Sequence, residues 1–131
     1  GAEGPAGVND ALGVRLGEGP VLRRYDFSPG SRLGHVPSRE MVAWVRRAAE
    51  SSGVAIQEDA YVGTFTDAAT LSRSLPGGLP TVTLNLPRRN AHSPSEMFME
   101  SDLNATAALI GALLRTTSEG DYPKKGKDYK E

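Results

Sequence analysis

Three residues separate His92 from Glu96 in the run Arg88-Arg89-Asn90-Ala91-His92-Ser93-Pro94-Ser95-Glu96, which gathers an imidazole, a carboxylate and two guanidinium groups in one short segment. A neutral imidazole can ligate a metal or carry a proton near neutral pH. A carboxylate nearby can accept from its second ring nitrogen and fix its orientation, the role expected of Glu96, which could equally cap the following segment. Arg88 and Arg89 add a capacity for anions, either as substrate contacts or as plain surface charge. Upstream, Thr66 and Asp67 either cap a following helix or line a pocket. His35 stands alone after Gly34 and reads as a solvent-exposed loop residue. With no cysteine in the chain, any metal must be held by His, Asp or Glu.

These side chains need elements to position them. In Leu79–Leu86 the apolar Val82, Leu84 and Leu86 alternate with Thr81, Thr83 and Asn85, the two-residue period of a strand with one apolar face. Pro87 has no N–H for a sheet ladder and ends it, so the arginines and His92 follow at the carboxyl end of a strand, where open α/β sheets carry their sites. Before this segment the sequence predicts a short strand at Gly13–Leu16 and another at Val21–Phe27, with Arg23 and Arg24 as a solvated strand end. A helix from Ser38 to Ser52, with Pro37 in its first turn and Gly53 as its stop, carries Met41, Trp44, Val45, Ala48 and Ala49 on an apolar stripe, so Trp44 reads as core. A strand over Val54–Val62 and a helix through Ala68 and Leu71 come next. The last helix spans Ser101–Arg115, capped by Ser101 or Asp102, with Leu103, Ala107, Ile110 and Leu114 as its buried stripe.

The totals exclude several classes. The 131 residues fit one domain that buries about two thirds of its unfolded surface. A net charge of -1, from 15 basic and 16 acidic residues, gives no general attraction for nucleic acid or an anionic membrane. No stretch approaches the roughly 18 apolar residues of a membrane span, and a cytoplasmic protein is the default expectation. The alternation of strands and helices predicts an α/β fold: part of a three-layer sandwich, its mixed sheet of about three or four strands flanked by helices on both faces. Residues 1–17 read as an irregular lead-in, 18–117 as the folded unit and 118–131 as a polar, disordered tail.

At His92 this order meets a known pattern. Leu86-Pro87-Arg88-Arg89-Asn90-Ala91-His92-Ser93-Pro94-Ser95-Glu96 resembles the last metal-binding motif of the dinuclear metalloaminopeptidases of the tetrahedral, glutamyl and deblocking type, in which a strand ends in Pro-Arg and His-Ser-Pro-x-Glu follows. Leu16-Gly17-Glu18-Gly19-Pro20-Val21-Leu22 is similar to that family's Gly-Gly-Pro-Val-Ile segment, and Gly63-Thr64-Phe65-Thr66-Asp67-Ala68-Ala69 to its Gly-Gly-Thr-Asp-Ala-Gly turn. The resemblance spans roughly residues 13 to 116. Asn90 stands where the family has an aromatic residue and Phe65 where it has glycine, differences that bear on pocket shape.

The resemblance implies that His92 is a ligand of one of two divalent ions, zinc or cobalt, with Glu96 behind it. It also implies that Thr66, Asp67 and Arg89 lie beside a peptide substrate. The family's other ligands and its Glu-Glu pair, whose first member is the general base, have no counterpart here: the chain has two histidines and no adjacent glutamates. The expectation is therefore a C-terminal portion of a peptidase, with no catalytic base of its own, inactive and metal-poor alone, completed by an N-terminal part and assembled as a homo-oligomer. Two other readings stay open. One is a non-catalytic interaction module that pairs through exposed edges; the other is a small-anion site formed by Arg88, Arg89 and the helix start near Ser101.

Overall fold

The structure, a computed structural model, describes residues 13–124. Its elements run β1 (Val21–Ser28), β2 (Leu33–His35), α1 (Arg39–Ser52), β3 (Gln57–Val62), α2 (Ala68–Leu71), β4 (Thr83–Asn85) and α3 (Glu100–Ser118). The start of the expected lead-in and the end of the expected tail lie outside the described residues.

β1 is the strand to which the others pair. β3 lies parallel to it from Val21↔Gln57 to Phe27↔Val62, and α1 makes the crossover between them. The opposite edge of β1 is shared by two antiparallel strands: β4 pairs with Val21, Leu22 and Arg23, and β2 with Asp26, Phe27 and Ser28. The result is a mixed four-stranded sheet with helices, the α/β class the sequence predicts. A register shift between Arg23 and Tyr25 makes Arg24 the extra residue of a bulge.

α1 forms because its capping chemistry and apolar spacing agree. Ser38 is the N-cap and its hydroxyl accepts the Met41 N–H at 3.2 Å, so Pro37, expected in the first turn, instead precedes the cap and is buried. Gly53 ends the helix at φ 69°, its N–H returning to the Ala49 and Glu50 carbonyls. The inner face of α1 meets Leu22 of β1 and Leu109, Ala112 and Leu113 of α3 in one apolar cluster, with Trp44 packed against it as expected. Fully buried Leu22, Val45 and Leu109 each contribute about 1.5–3 kcal/mol of transfer free energy. α2 is a single turn that buries Ala68 and Ala69 outside this cluster.

Several expected boundaries move, each because backbone groups find other partners. Gly13–Leu16 is not a strand: the Gln57 side chain accepts the Arg15 N–H at 2.7 Å and donates to the Arg15 carbonyl at 2.8 Å, taking the place of a neighbouring strand. β3 starts at Gln57 rather than Val54 because the Val54 N–H is spent on the Ala49 carbonyl. β4 covers Thr83–Asn85 and not Leu79–Leu86: the Leu79 N–H turns back to Ser72, Pro80 has none to give, and the Thr81 carbonyl meets His35 Nε2 at 2.9 Å. That last contact makes His35 half-buried, contrary to the exposed loop expected. Arg23 is not solvated either; it grips Asp59 with two 2.8 Å bonds and lies 5.4 Å from the Tyr61 ring centre.

α3 departs most. Its N-cap is Met99, with no side-chain bond, and neither Ser101 nor Asp102 caps it. Asp102 is buried and reaches back along the chain instead: its Oδ2 accepts the Gly17 N–H and its Oδ1 the Gly19 N–H, both at 2.8 Å. Gly17 and Gly19 hold φ 85° and 90°, and their two N–H groups, with Glu18 between them, point at one carboxylate. A Cβ on Gly19 would also stand 2.1 Å from the Ala55 carbonyl oxygen. The buried stripe of α3 is Leu109, Ala112 and Leu113, whereas Leu103, Ala107, Ile110 and Leu114, expected inside, face outward.

Candidate functional site

The segment after β4 is a tied loop. Pro87 is buried as the chain leaves the sheet, and Arg89 then exchanges two backbone bonds with Met97, 2.8 and 3.2 Å, closing a hairpin around residues 90–96. Inside it Asn90 and His92 adopt φ 54° and 63°. Asparagine and histidine are among the non-glycine residues that enter the left-handed region more readily than most, and here both are held there by the closed loop. The Glu96 carboxylate supplies that hold. One oxygen accepts the backbone N–H of His92 and the other pairs with Arg88 Nη1 at 2.8 Å. Glu96 thus fixes His92 through the main chain, not through the ring nitrogen as expected. The His92 N–H beside it, countered by slight desolvation and aided by the Arg88 charge, holds the Glu96 carboxyl below its ordinary value. His92 is exposed.

Thr66 sits elsewhere. Its N–H and hydroxyl donate to Asp26 Oδ2 at 3.1 and 2.7 Å, and its hydroxyl lies 3.1 Å from that of Thr83. Asp67 takes the N-cap position of α2 in helical conformation with no side-chain cap bond, so capping does not account for this pair. Asp67 is exposed and Arg89 half-buried. The structure therefore brings Thr66 against the first residue of β4, while His92 follows seven residues beyond the last. β4 is antiparallel to β1, so its exit lies beside Val21, at the amino end of β1. The expected crevice at parallel carboxyl ends describes Thr66 and Asp67, which follow β3, and not His92.

Asp26 is the site residue that sequence reasoning missed. It is buried, and its Oδ1 has no hydrogen-bond partner among the described residues. A carboxylate inside an otherwise strand-like Tyr25-Asp26-Phe27 was the available signal. The small-anion site is not supported: Arg88 is engaged by Glu96, and the start of α3 carries Glu100 and Asp102. Among the described residues no group of three His, Asp or Glu is placed to hold a metal. A catalytic zinc takes about three protein ligands. One imidazole does not hold two cations, and these residues by themselves do not fit a dinuclear centre.

The tied His-Ser-Pro-x-Glu loop, the double-glycine opening of β1 and the Thr66 turn lie within residues 2–109, which match the M42 glutamyl aminopeptidase family. The chain belongs to that family. Among known proteins, the putative aminopeptidase FrvX of Escherichia coli K12 is 29% identical over 103 residues, 79% of this chain. The chain spans 27% of the length of FrvX. An aminopeptidase of the archaeon Desulfurococcus kamchatkensis superposes with a TM-score of 0.72 at 26% identity, covering 86% of this chain and 30% of that one. PhTET1-12s, a dodecamer in its asymmetric unit, does so at 0.62 and 31% identity, covering 77% and 28%.

Proposed function

We propose that this chain is the C-terminal portion of a cytoplasmic metal-dependent aminopeptidase that removes N-terminal residues from peptides. In this reading His92 supplies one ligand to a pair of divalent ions, zinc or cobalt, whose other ligands and general base belong to an N-terminal part outside this sequence. The carrying observation is the left-handed His92 backbone clipped by Glu96 and Arg88 within the segment that matches the family. A loop closed by Arg89 and Met97 and stiffened by Pro87 and Pro94 limits the freedom lost when an imidazole meets a metal. When bound, such a metal pair would activate water and stabilise the developing oxyanion. Thr66, held by Asp26, and Asp67 and Arg89 would contact the peptide. Peptide substrates and a homo-oligomeric state agree with relatives named aminopeptidases and with the dodecamer of PhTET1-12s.

In the intact enzyme His92→Ala should release one of two metals, read by elemental analysis, and lower kcat/KM by about 100-fold or more. Unchanged metal content in that variant rejects the ligand assignment. The chain alone should bind zinc no tighter than about 1 µM by calorimetry, and tighter binding overturns the shared site. The exposed outer face of α3 favours a second reading, a non-catalytic association module. Two metals per chain and hydrolysis in the intact protein would dismiss it.

A further inference from the structure

We propose that Asp26 is a positioning residue, which pins the Thr66–Asp67 turn to the centre of the sheet so that Asp67 is held in place for the peptide. This rests on the proposed function, in which that turn faces the substrate, and it changes what Thr66 does there. Asp26 is a firm base. Its backbone is fenced by ladders on both sides, opposite His35 of β2 and Tyr61 of β3, and its side chain is fully buried. The turn is the opposite case. After the Gly63 N–H reaches the Phe27 carbonyl, the next hydrogen bonds from the turn to β1 among the described residues are those of Thr66 to Asp26. α2, which follows, has four residues and is too short to hold itself.

The protons in this cluster run one way. A threonine hydroxyl has one proton and two lone pairs. The Thr66 hydroxyl spends its proton on Asp26 Oδ2 at 2.7 Å, so across the 3.1 Å to Thr83 Oγ1 it accepts, and Thr83, the first residue of β4, donates. The Thr66 N–H goes to the same Asp26 Oδ2 at 3.1 Å. Thr66 therefore has no donor left for a peptide, and the polar side chain that the turn can offer one is Asp67, which makes no cap bond. Asp26 Oδ1 has no hydrogen-bond partner among the described residues, so the pin runs through Oδ2 alone. An asparagine can reproduce it: its carbonyl oxygen accepts both Thr66 bonds and its NH2 takes the place of Oδ1.

Steady-state kinetics of the intact enzyme on a panel of aminoacyl p-nitroanilides test this, with hydrogen exchange at the Thr66 amide as a readout free of activity. Asp26→Leu should raise KM about tenfold, change kcat by less than about threefold and leave the metal content unchanged, while the Thr66 amide exchanges about 100-fold faster. Thr66→Val cuts the hydroxyl bonds and leaves the core intact, so it should raise KM about fivefold even if Asp26→Leu does not fold. Asp26→Asn and Thr66→Ser, which keep the accepting oxygen and the hydroxyl, should stay within about threefold of the parent in both readings. An Asp26→Asn variant as impaired as Asp26→Leu overturns the proposal, because Oδ1 and not the Thr66 pin would then carry the effect. A loss confined to kcat, or a Thr66 amide unprotected in the parent, overturns it as well. A protein with a protected Thr66 amide that hydrolyses no peptide fails the aminopeptidase reading while the pin stands.

Discussion

Replacing Asp102 by alanine should be the most damaging single change outside the apolar cluster. Its carboxylate accepts the Gly17 and Gly19 N–H groups at 2.8 Å each, across 85 and 83 positions of sequence, and is 1% exposed. Hydrogen bonds to a charged acceptor contribute about 1.5–3 kcal/mol each, and the alanine variant leaves a buried Gly19 donor unpaired. Gly17 is exposed enough to recruit water, so the combined loss comes to about 3–5 kcal/mol rather than the full sum. For a domain of this size that is a Tm lower by about 10–20 °C. Asp102→Asn keeps one carbonyl oxygen but turns an amide NH2 toward a second N–H, and should lose about half as much. Urea denaturation followed by circular dichroism measures both. An alanine variant within about 1 kcal/mol of the parent, at unchanged m, would show that the clamp is not needed to hold the β1 approach against α3.

The Glu96 clip should be sensitive to acid. Its folded pKa is lowered, chiefly by the His92 N–H, so its contribution to loop order is complete above the ordinary value of 4.5 and is lost as pH falls through the lowered value. The His92 amide proton shift, followed by NMR, should therefore titrate with a midpoint below 4.5, and a midpoint at or above it would refute the clip. At the α1–α3 junction, Trp44 Nε1 donates to Thr116 Oγ1 at 2.9 Å. Thr116→Val should cost about 1 kcal/mol and shift the emission of the chain's single tryptophan, and unchanged emission would place the indole N–H elsewhere.

What was legible in the sequence was what local chemistry decides. The Gly53 stop and apolar spacing of α1, the core position of Trp44, the strand Val21–Phe27 and the break at Pro87 all follow from a few neighbouring residues, and so does the His-Ser-Pro-x-Glu segment. Long-range partners were not legible. Gln57 displaces a strand at Arg15, His35 is drawn in by Thr81, and Asp102 turns from helix cap to anchor for two glycines. The seam Leu103, Ala107, Ile110 and Leu114 was found correctly as a helical stripe but assigned to the wrong side. α3 carries two such stripes, and periodicity does not say which one meets α1.

Arg24, the extra residue at the bulge of β1, divides the ladder into two stretches that answer to different neighbours: β4 lies beside the first and β2 beside the second. Because β2, β3 and β4 each reach the sheet through that single strand, none of them retains a ladder once it detaches. The sheet is a wheel with one hub. Losing the hub disperses all the spokes together, whereas release of β4 alone or β2 alone opens only the stretch before or after Arg24 and leaves β3 paired along both.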